Sequence, residues 1–394
     1  MRIIVDIGHP AHVHFFKNFI WEMEKKNHDV LITARDKEIS LNLLDSYGFK
    51  YTKISTMKKG KSKLIYEWTL RDINLLKICL KFKPDLMLGI GGTTVSHVSK
   101  LTGIKSIIFT DYPLWYDKIL THPWANIILT PTSFSKDLGK KHLKFDGYKE
   151  LSYLHPDLFH PDKNIYDLMG IDRNERFVIL RFASFDAAHD INAFGFDSKT
   201  KIELVNRIKK YARVFIASAV DLPDQLVQYN IPIPLEKIHH ALYFADLLVS
   251  DSQTMTTEAA VLGTPVVRCN SWVGPKDAIN FVELENKYDL IYNFNDANLA
   301  LDKCIELLKT PNIKAEWRLK REKLLNDKIN VTDFLVWLAE IFGRKTNTMQ
   351  DYYQEYIQKN MYYTDFSVNS QESTSYWKKK STMEEQKYVQ SAKN

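Results

Sequence analysis

At 394 residues, 45% hydrophobic and 26% charged, the chain is long enough for two domains with separate cores and has an ordinary globular composition. A net charge of +6 without a dense basic block suits a nucleotide or an anionic lipid as well as nucleic acid, and no nucleic-acid partner is expected. Cys79, Cys269 and Cys304 lack metal-ligand spacing, the N-terminus MRIIVDIGHP enters a strand directly, and no run approaches the ~20 apolar residues of a membrane span. A cytoplasmic protein with reduced thiols is the expectation, with peripheral contact to the inner face of a membrane left open.

Residues 2–7 read as a buried strand ended by Gly8. His9, His12 and His14 follow within a few residues, but without the i,i+4 spacing or accompanying carboxylates of a zinc site, so no metal is expected. His12, at a strand end, is a candidate base or sugar contact; the alternative is a histidine that caps the next helix. Strands are predicted over residues 30–34 and 51–54. The stretch from Met57 to Lys83 mixes eight Lys and Arg residues with leucines, isoleucines and Trp68. It reads first as a helix covering a sheet, and second as an interfacial segment.

A strand over 84–90 then runs into Gly91, Gly92, Thr93 and Thr94, whose backbone N–H groups sit at a helix start and suit a phosphate or sugar. The strand at 106–109 is followed by Asp111, a carboxylate fit for a general base or a hydroxyl clamp. Residues 127–132 are expected to be the last strand of a first domain spanning 1–155. The Pro- and Asp-containing stretch 156–172 reads as a connector to a second domain over 173–342.

Residues 177–181 open that second domain as a strand. Arg181 and Ser184 lie at its exit, where a guanidinium binds a diphosphate well; His189 beyond them reads equally as structural or as an acid–base group. The chain is organised around residues 247–267, LLVSDSQTMTTEAAVLGTPVV. A short apolar run meets a hydroxyl-rich turn, Ser252, Gln253 and Thr254. A helical pattern follows, ended by Gly263 and the stop Thr264-Pro265. Free N–H groups and hydroxyls at such a helix start form a phosphate site, and Glu258, one turn in, is placed to reach two ribose hydroxyls. The alternative is a capped helix in an ordinary α/β domain. Lys276, Asp277 and Asn280 follow. From 343 to 394 the periodicity stops, and a low-order tail rich in Tyr, Lys, Gln, Ser and Asn is expected.

The stretches Ser252–Thr254, Glu258 and Gly263-Thr264-Pro265, with Gly91–Thr94 and Asp111, resemble two groups of GT-B enzymes. These are the N-acetylglucosaminyltransferase of peptidoglycan synthesis and the non-hydrolysing UDP-N-acetylglucosamine 2-epimerases. Residues 1 to about 340 also resemble an uncharacterised GT-B-like family, a domain of unknown function. The resemblance implies a GT-B fold: two Rossmann-like, doubly wound parallel-sheet α/β domains facing a central cleft. It also implies a nucleotide-sugar donor, UDP-linked, on the second domain, and no metal or other cofactor. The donor groups would be Arg181, Ser184, Ser252, Gln253, Thr254, Glu258 and Asn280, with Asp111 and His12 catalytic. The acceptor would be a glycan or lipid-linked molecule of cell-envelope synthesis. The epimerases carry an Asp where this chain has Gly92, which favours transfer over epimerisation; a non-catalytic sensor is the third reading.

Overall fold

The structure is a computed structural model that describes residues 1–58, 61–114, 116–183, 194–275 and 277–343. It divides into two compact units: unit 1 holds Met1–His160 and the chain from Asp327 to the end of the last described helix, and unit 2 holds Pro161–Asn326. The tail from 344, Ser184, His189 and Lys276 lie outside the described residues.

Unit 1 contains a seven-stranded sheet: β1 (Arg2–Ile7), β2 (Asp29–Asp36), β3 (Tyr51–Thr56), β4 (Leu86–Ile90), β5 (Lys105–Phe109), β6 (Ile127–Pro131) and β7 (His142–Phe145). The order is β3-β2-β1-β4-β5-β6-β7. All pairings are parallel, with Ile3 of β1 level with Leu86 of β4 and Ile90 of β4 level with Phe109 of β5. Parallel neighbours need crossovers, and the near-continuous apolar strands reflect cover on both faces.

On one face Leu75 and Cys79 of helix Lys61–Phe82 and Val95 and Val98 of helix Thr93–Thr102 pack on Ile4, Met87, Ile108 and Ile128. On the other, helix Pro10–Lys25 supplies Phe15, whose ring lies 4.6 Å from Phe109, and the aromatic line continues through Phe145 to Phe334. Phe334 belongs to helix Val331–Gly343, so the end of the globular chain joins unit 1, not the second domain as expected over 173–342. The ties are specific: Lys328 Nζ lies 2.6 Å from Asp146, Thr332 donates to the Ser152 carbonyl, and Glu340 meets Lys26 and His28. Strand β7 lies beyond the strand expected to be last; with Lys144 and His142 among its four residues it lacks an apolar run.

Unit 2 contains a five-stranded parallel sheet, β8 (Phe177–Phe182), β9 (Arg213–Ser218), β10 (Leu247–Ser250), β11 (Val266–Cys269) and β12 (Ile291–Phe294), in the order β12-β11-β10-β8-β9. Helix Gln253–Leu262 follows β10 and is buried from Met255 onward; Gly263 closes it with a left-handed φ of +75°, and its amide bonds back to Ala259 and Ala260. In each sheet the order reverses once, beside the first strand of the unit: between β1 and β4, and between β8 and β10. Open α/β sheets bind ligands at the carboxyl end of such a reversal.

Candidate functional site

In unit 1 the turns after β1, β4 and β5 lie side by side. His9 caps helix Pro10–Lys25: its Nδ1 accepts from the Ala11 amide at 3.1 Å, while His12 Nδ1 accepts from the Gly8 amide at 3.2 Å. Both imidazoles are held neutral. Burial, then Lys37, Lys149 and Arg35, lowers His9 to about 3; burial, then His9, Arg71 and further lysines, takes His12 well below its ordinary value. With Nδ1 accepting, the remaining proton sits on Nε2, so each ring presents an N–H donor. Of the two roles expected for His12, this tautomer suits the sugar or phosphate contact rather than the base.

Two of the cations around these rings, Arg71 and Arg35, are positioned by buried carboxylates. Asp6 accepts from Thr33 and from Arg71 at 2.8 Å, which brings Arg71 beside Gly8. Glu67 takes Arg35 in a two-pronged pair at 2.6 and 2.7 Å. Glu67, Arg71, Leu75 and Cys79 are four apart on one helix, so a charged pair continues its inward apolar line over the carboxyl end of the sheet. The sequence reading missed this pair, although the break in periodicity was a visible signal.

Gly92 begins helix Thr93–Thr102 with a φ of +47°, and a Cβ there would lie 2.4 Å from Ile108 Cδ1, itself in the core. Any other residue at position 92 would need Ile108 to shift and would hold a left-handed backbone that favours glycine. The Gly91 amide bonds to the Phe109 carbonyl, which sets this turn against the turn that carries Asp111. Asp111 is paired with Lys149 at 2.6 Å and is partly exposed. Thr93 Oγ1 lies 3.0 Å from Thr121 Oγ1, which donates to Asp117 at 3.1 Å. Asp117 is buried, and burial pushes its carboxyl up to about 6. This wired carboxylate, beyond Asp111 in the chain and outside every motif, had no signal in the sequence.

In unit 2, Ser250 Oγ accepts from the Ser252 amide at 2.9 Å and folds the strand end into helix Gln253–Leu262. Ser252 is the N-cap, with extended backbone, yet its hydroxyl makes no cap bond. Thr257 lies one turn further in, and Asn280 of helix Ile279–Asn286 reaches its hydroxyl at 3.5 Å. Ser250 is level with Arg181 in the sheet, whose guanidinium donates to the Ala217 carbonyl at 3.2 Å. Arg181, Ser252, Gln253, Thr254 and Asn280 thus share the carboxyl edge of one sheet. Glu258 is buried on the same helix and bonded to His239 at 3.0 Å. Asp277 is locked at 2.6 and 3.0 Å to Arg268, which is fully buried against Phe281.

Asp251, passed over in the sequence, is the hub of this edge. Its carboxylate accepts from the Ala183 amide at 2.7 Å and the Phe196 amide at 3.3 Å, and a Cβ on Gly195 would collide with it. Burial pushes it up to about 6 against those two bonds.

Two parallel-sheet units of this kind are the GT-B architecture, and solved structures of that class resemble the chain over most of its length. A UDP-GlcNAc 2-epimerase from Neisseria meningitidis, bound to UDP-GlcNAc, aligns with a TM-score of 0.57 at 15% identity, over 85% of this chain and 98% of that one. A spinosyn rhamnosyltransferase complexed with spinosyn aglycone aligns with a TM-score of 0.56 at 12% identity, over 87% and 100%. At such identities the likeness establishes the fold alone. The chain belongs to the family described as "Protein of unknown function (DUF354)", which it matches over residues 1–332. An uncharacterised protein of Methanocaldococcus jannaschii is 26% identical over 292 residues, 68% of this chain and 82% of that protein.

The Asp117 carboxyl makes a pH prediction. A folded-state value of about 6, raised from 3.8, means the folded chain holds this proton more tightly than the unfolded chain. Its contribution to stability is complete below the unfolded value and is lost as pH rises from about 4 through 6. Asp117→Asn should therefore raise stability at pH 7.5 by ~1–3 kcal/mol and leave it nearly unchanged at pH 4. Thermal melts of both proteins at the two pH values check this, and an equal gain at both would refute the ionisation penalty.

Proposed function

We propose that the chain is a glycosyltransferase that takes its sugar from a nucleotide-activated, UDP-linked donor and passes it to a glycan or lipid-linked acceptor. The observation that carries this reading is the carboxyl edge of the unit 2 sheet, where a hydroxyl-rich turn feeds a buried ten-residue helix at the strand-order reversal. The backbone N–H groups of Gln253 and Thr254 and the Ser252 hydroxyl would take the diphosphate, with Arg181 on the adjoining strand. Such groups stabilise the charge that grows on the leaving diphosphate as the sugar–phosphate bond breaks, without a metal. Asn280 would meet the sugar, and Glu258, held by His239, the ribose. Two structural neighbours support the ligand class, a UDP-GlcNAc 2-epimerase bound to UDP-GlcNAc and a spinosyn rhamnosyltransferase complexed with thymidine diphosphate.

Unit 1 would serve the acceptor. Asp111, kept beside the Lys149 ammonium, is the proposed base that removes the acceptor hydroxyl proton, and His12 Nε2–H is a donor to the sugar or phosphate. The N–H groups of the Gly91–Thr93 turn would hold acceptor oxygens. An epimerase reading is disfavoured by Gly92, where any proton-carrying side chain would strike Ile108.

Two measurements test the assignment. Titration calorimetry with UDP, GDP, CMP and TDP should find a nucleoside diphosphate ligand. Glu258→Gln, which can keep a contact to His239, should weaken that binding by ~1.5–3 kcal/mol, tenfold or more, through loss of a charged ribose contact. Unchanged affinity would move the ribose elsewhere. Once an acceptor is in hand, Asp111→Asn should lower kcat by about 10²–10⁴ while nucleotide affinity holds, since the two groups lie on different units. Full activity in that variant would remove Asp111 from the mechanism.

A further inference from the structure

Helix Lys61–Phe82 covers the sheet with Leu75 and Cys79, yet its outer side is not polar. Ile65, Ile73 and Leu80 are 65%, 45% and 65% exposed and fall within one third of the helix circumference. Lys77 and Lys81 flank them and are exposed. The two carboxylates of this helix are both engaged inward: Glu67 is sealed in its pair with Arg35, and Asp72 bonds to His97 at 2.8 Å.

The Asp72–His97 bond joins this surface to helix Thr93–Thr102, which has no acidic residue in its sequence. One turn beyond His97, Leu101 is 72% exposed, next to exposed Lys100. The His97 ring also meets Trp124, itself 41% exposed. The result is a tract of unit 1 in which exposed leucine, isoleucine and tryptophan side chains are interleaved with lysines. One acidic residue, Asp85, is exposed beyond the end of helix Lys61–Phe82 and accepts from the Arg2 amide.

Scattered apolar side chains on a monomer surface need no explanation, but a set carried on neighbouring, linked helices and bordered mainly by lysines marks an interaction surface. The composition selects the partner. Lysine stems lie along neighbouring apolar groups while the ammonium reaches outward, and tryptophan is at home where apolar and wet regions meet. The same pattern on a helix face fits the boundary between headgroups and acyl chains, and lysine is drawn to anionic leaflets. No described helix is long and apolar enough to cross a membrane, so contact would be superficial. We propose that this tract docks unit 1 on an anionic lipid surface, with Ile73, Leu80, Leu101 and Trp124 entering the headgroup layer and Lys77, Lys81 and Lys100 pairing with lipid phosphates. The inference rests on surface chemistry alone and stands or falls independently of the catalytic reading.

The test is co-sedimentation of the full chain with vesicles of phosphatidylcholine alone and of phosphatidylcholine and phosphatidylglycerol in equal parts. Binding is expected to the anionic vesicles only and should fall as salt rises. Ile73→Ser with Leu80→Ser, and separately Lys77→Glu with Lys81→Glu, should each reduce the bound fraction about tenfold. Because all four side chains are exposed, both variants should keep the parent melting temperature, which shows that any loss is not unfolding. Failure to bind anionic vesicles would overturn the proposal and leave the tract to a protein partner. Undiminished binding by both variants would equally overturn it, since another part of the chain would then carry the contact.

Discussion

A parallel strand cannot be reached from its neighbour by a hairpin, so the chain must cross back over the sheet each time, and here it does so mostly with helices. Each such helix begins at the edge where its strand ended. In both units that edge collects the N–H groups that helix starts leave without intrahelical partners. The reversal of strand order opens space there, beside β1 and β4 in unit 1 and beside β8 and β10 in unit 2. The candidate groups described above follow from this one constraint on backbone direction.

The protein holds those edges open with buried charge. Asp6–Arg71 and Glu67–Arg35 in unit 1, and Arg268–Asp277 in unit 2, are pairs largely withdrawn from water. Pairs of this kind gain little net stability, because desolvation offsets most of the attraction, but breaking one leaves a buried charge behind. Their effect here is geometric. Arg71 is fixed beside Gly8 and His12, and the loop after β11 is tied down so that Asn280 arrives at Thr257. Asp251 does the same with backbone amides, joining the residues at 183 and 196 to the end of β10. The neutral state of His12 comes first from its own burial and then from His9 and Arg71 beside it, and the bond from the Gly8 amide to Nδ1 leaves the proton on Nε2.

Much of the fold was legible because parallel strands are runs of apolar residues closed by glycine or a hydroxyl. The strand expected over residues 2–7 forms as read for that reason, the one expected over 84–90 forms over Leu86–Ile90, and the apolar run at 247–249 forms Leu247–Ser250. His142–Phe145 did not, since an edge strand with alternating polar residues carries no such run. Residues 333–342 carry apolar side chains at helical spacing, but periodicity does not say against which unit such a face is buried; Phe334 against Phe145 does. At the candidate sites, turn residues such as Gly92 and Ser252 were readable because their backbone demands are local. Lys149 beside Asp111, Asp117 beneath Thr93, His239 on Glu258 and Arg268 on Asp277 are contacts between separate elements, and only the folded chain brings them together.

The central claim is that the N-terminus of helix Gln253–Leu262 receives a diphosphate. Amide hydrogen exchange, followed by mass spectrometry with and without UDP, addresses it residue by residue. Ligand oxygens on the free N–H groups should slow exchange across 253–255 while leaving the buried remainder of the helix unaltered. Binding of UDP accompanied by protection at the Gly91–Thr93 turn alone, with residues 253–255 exchanging as before, would contradict the account.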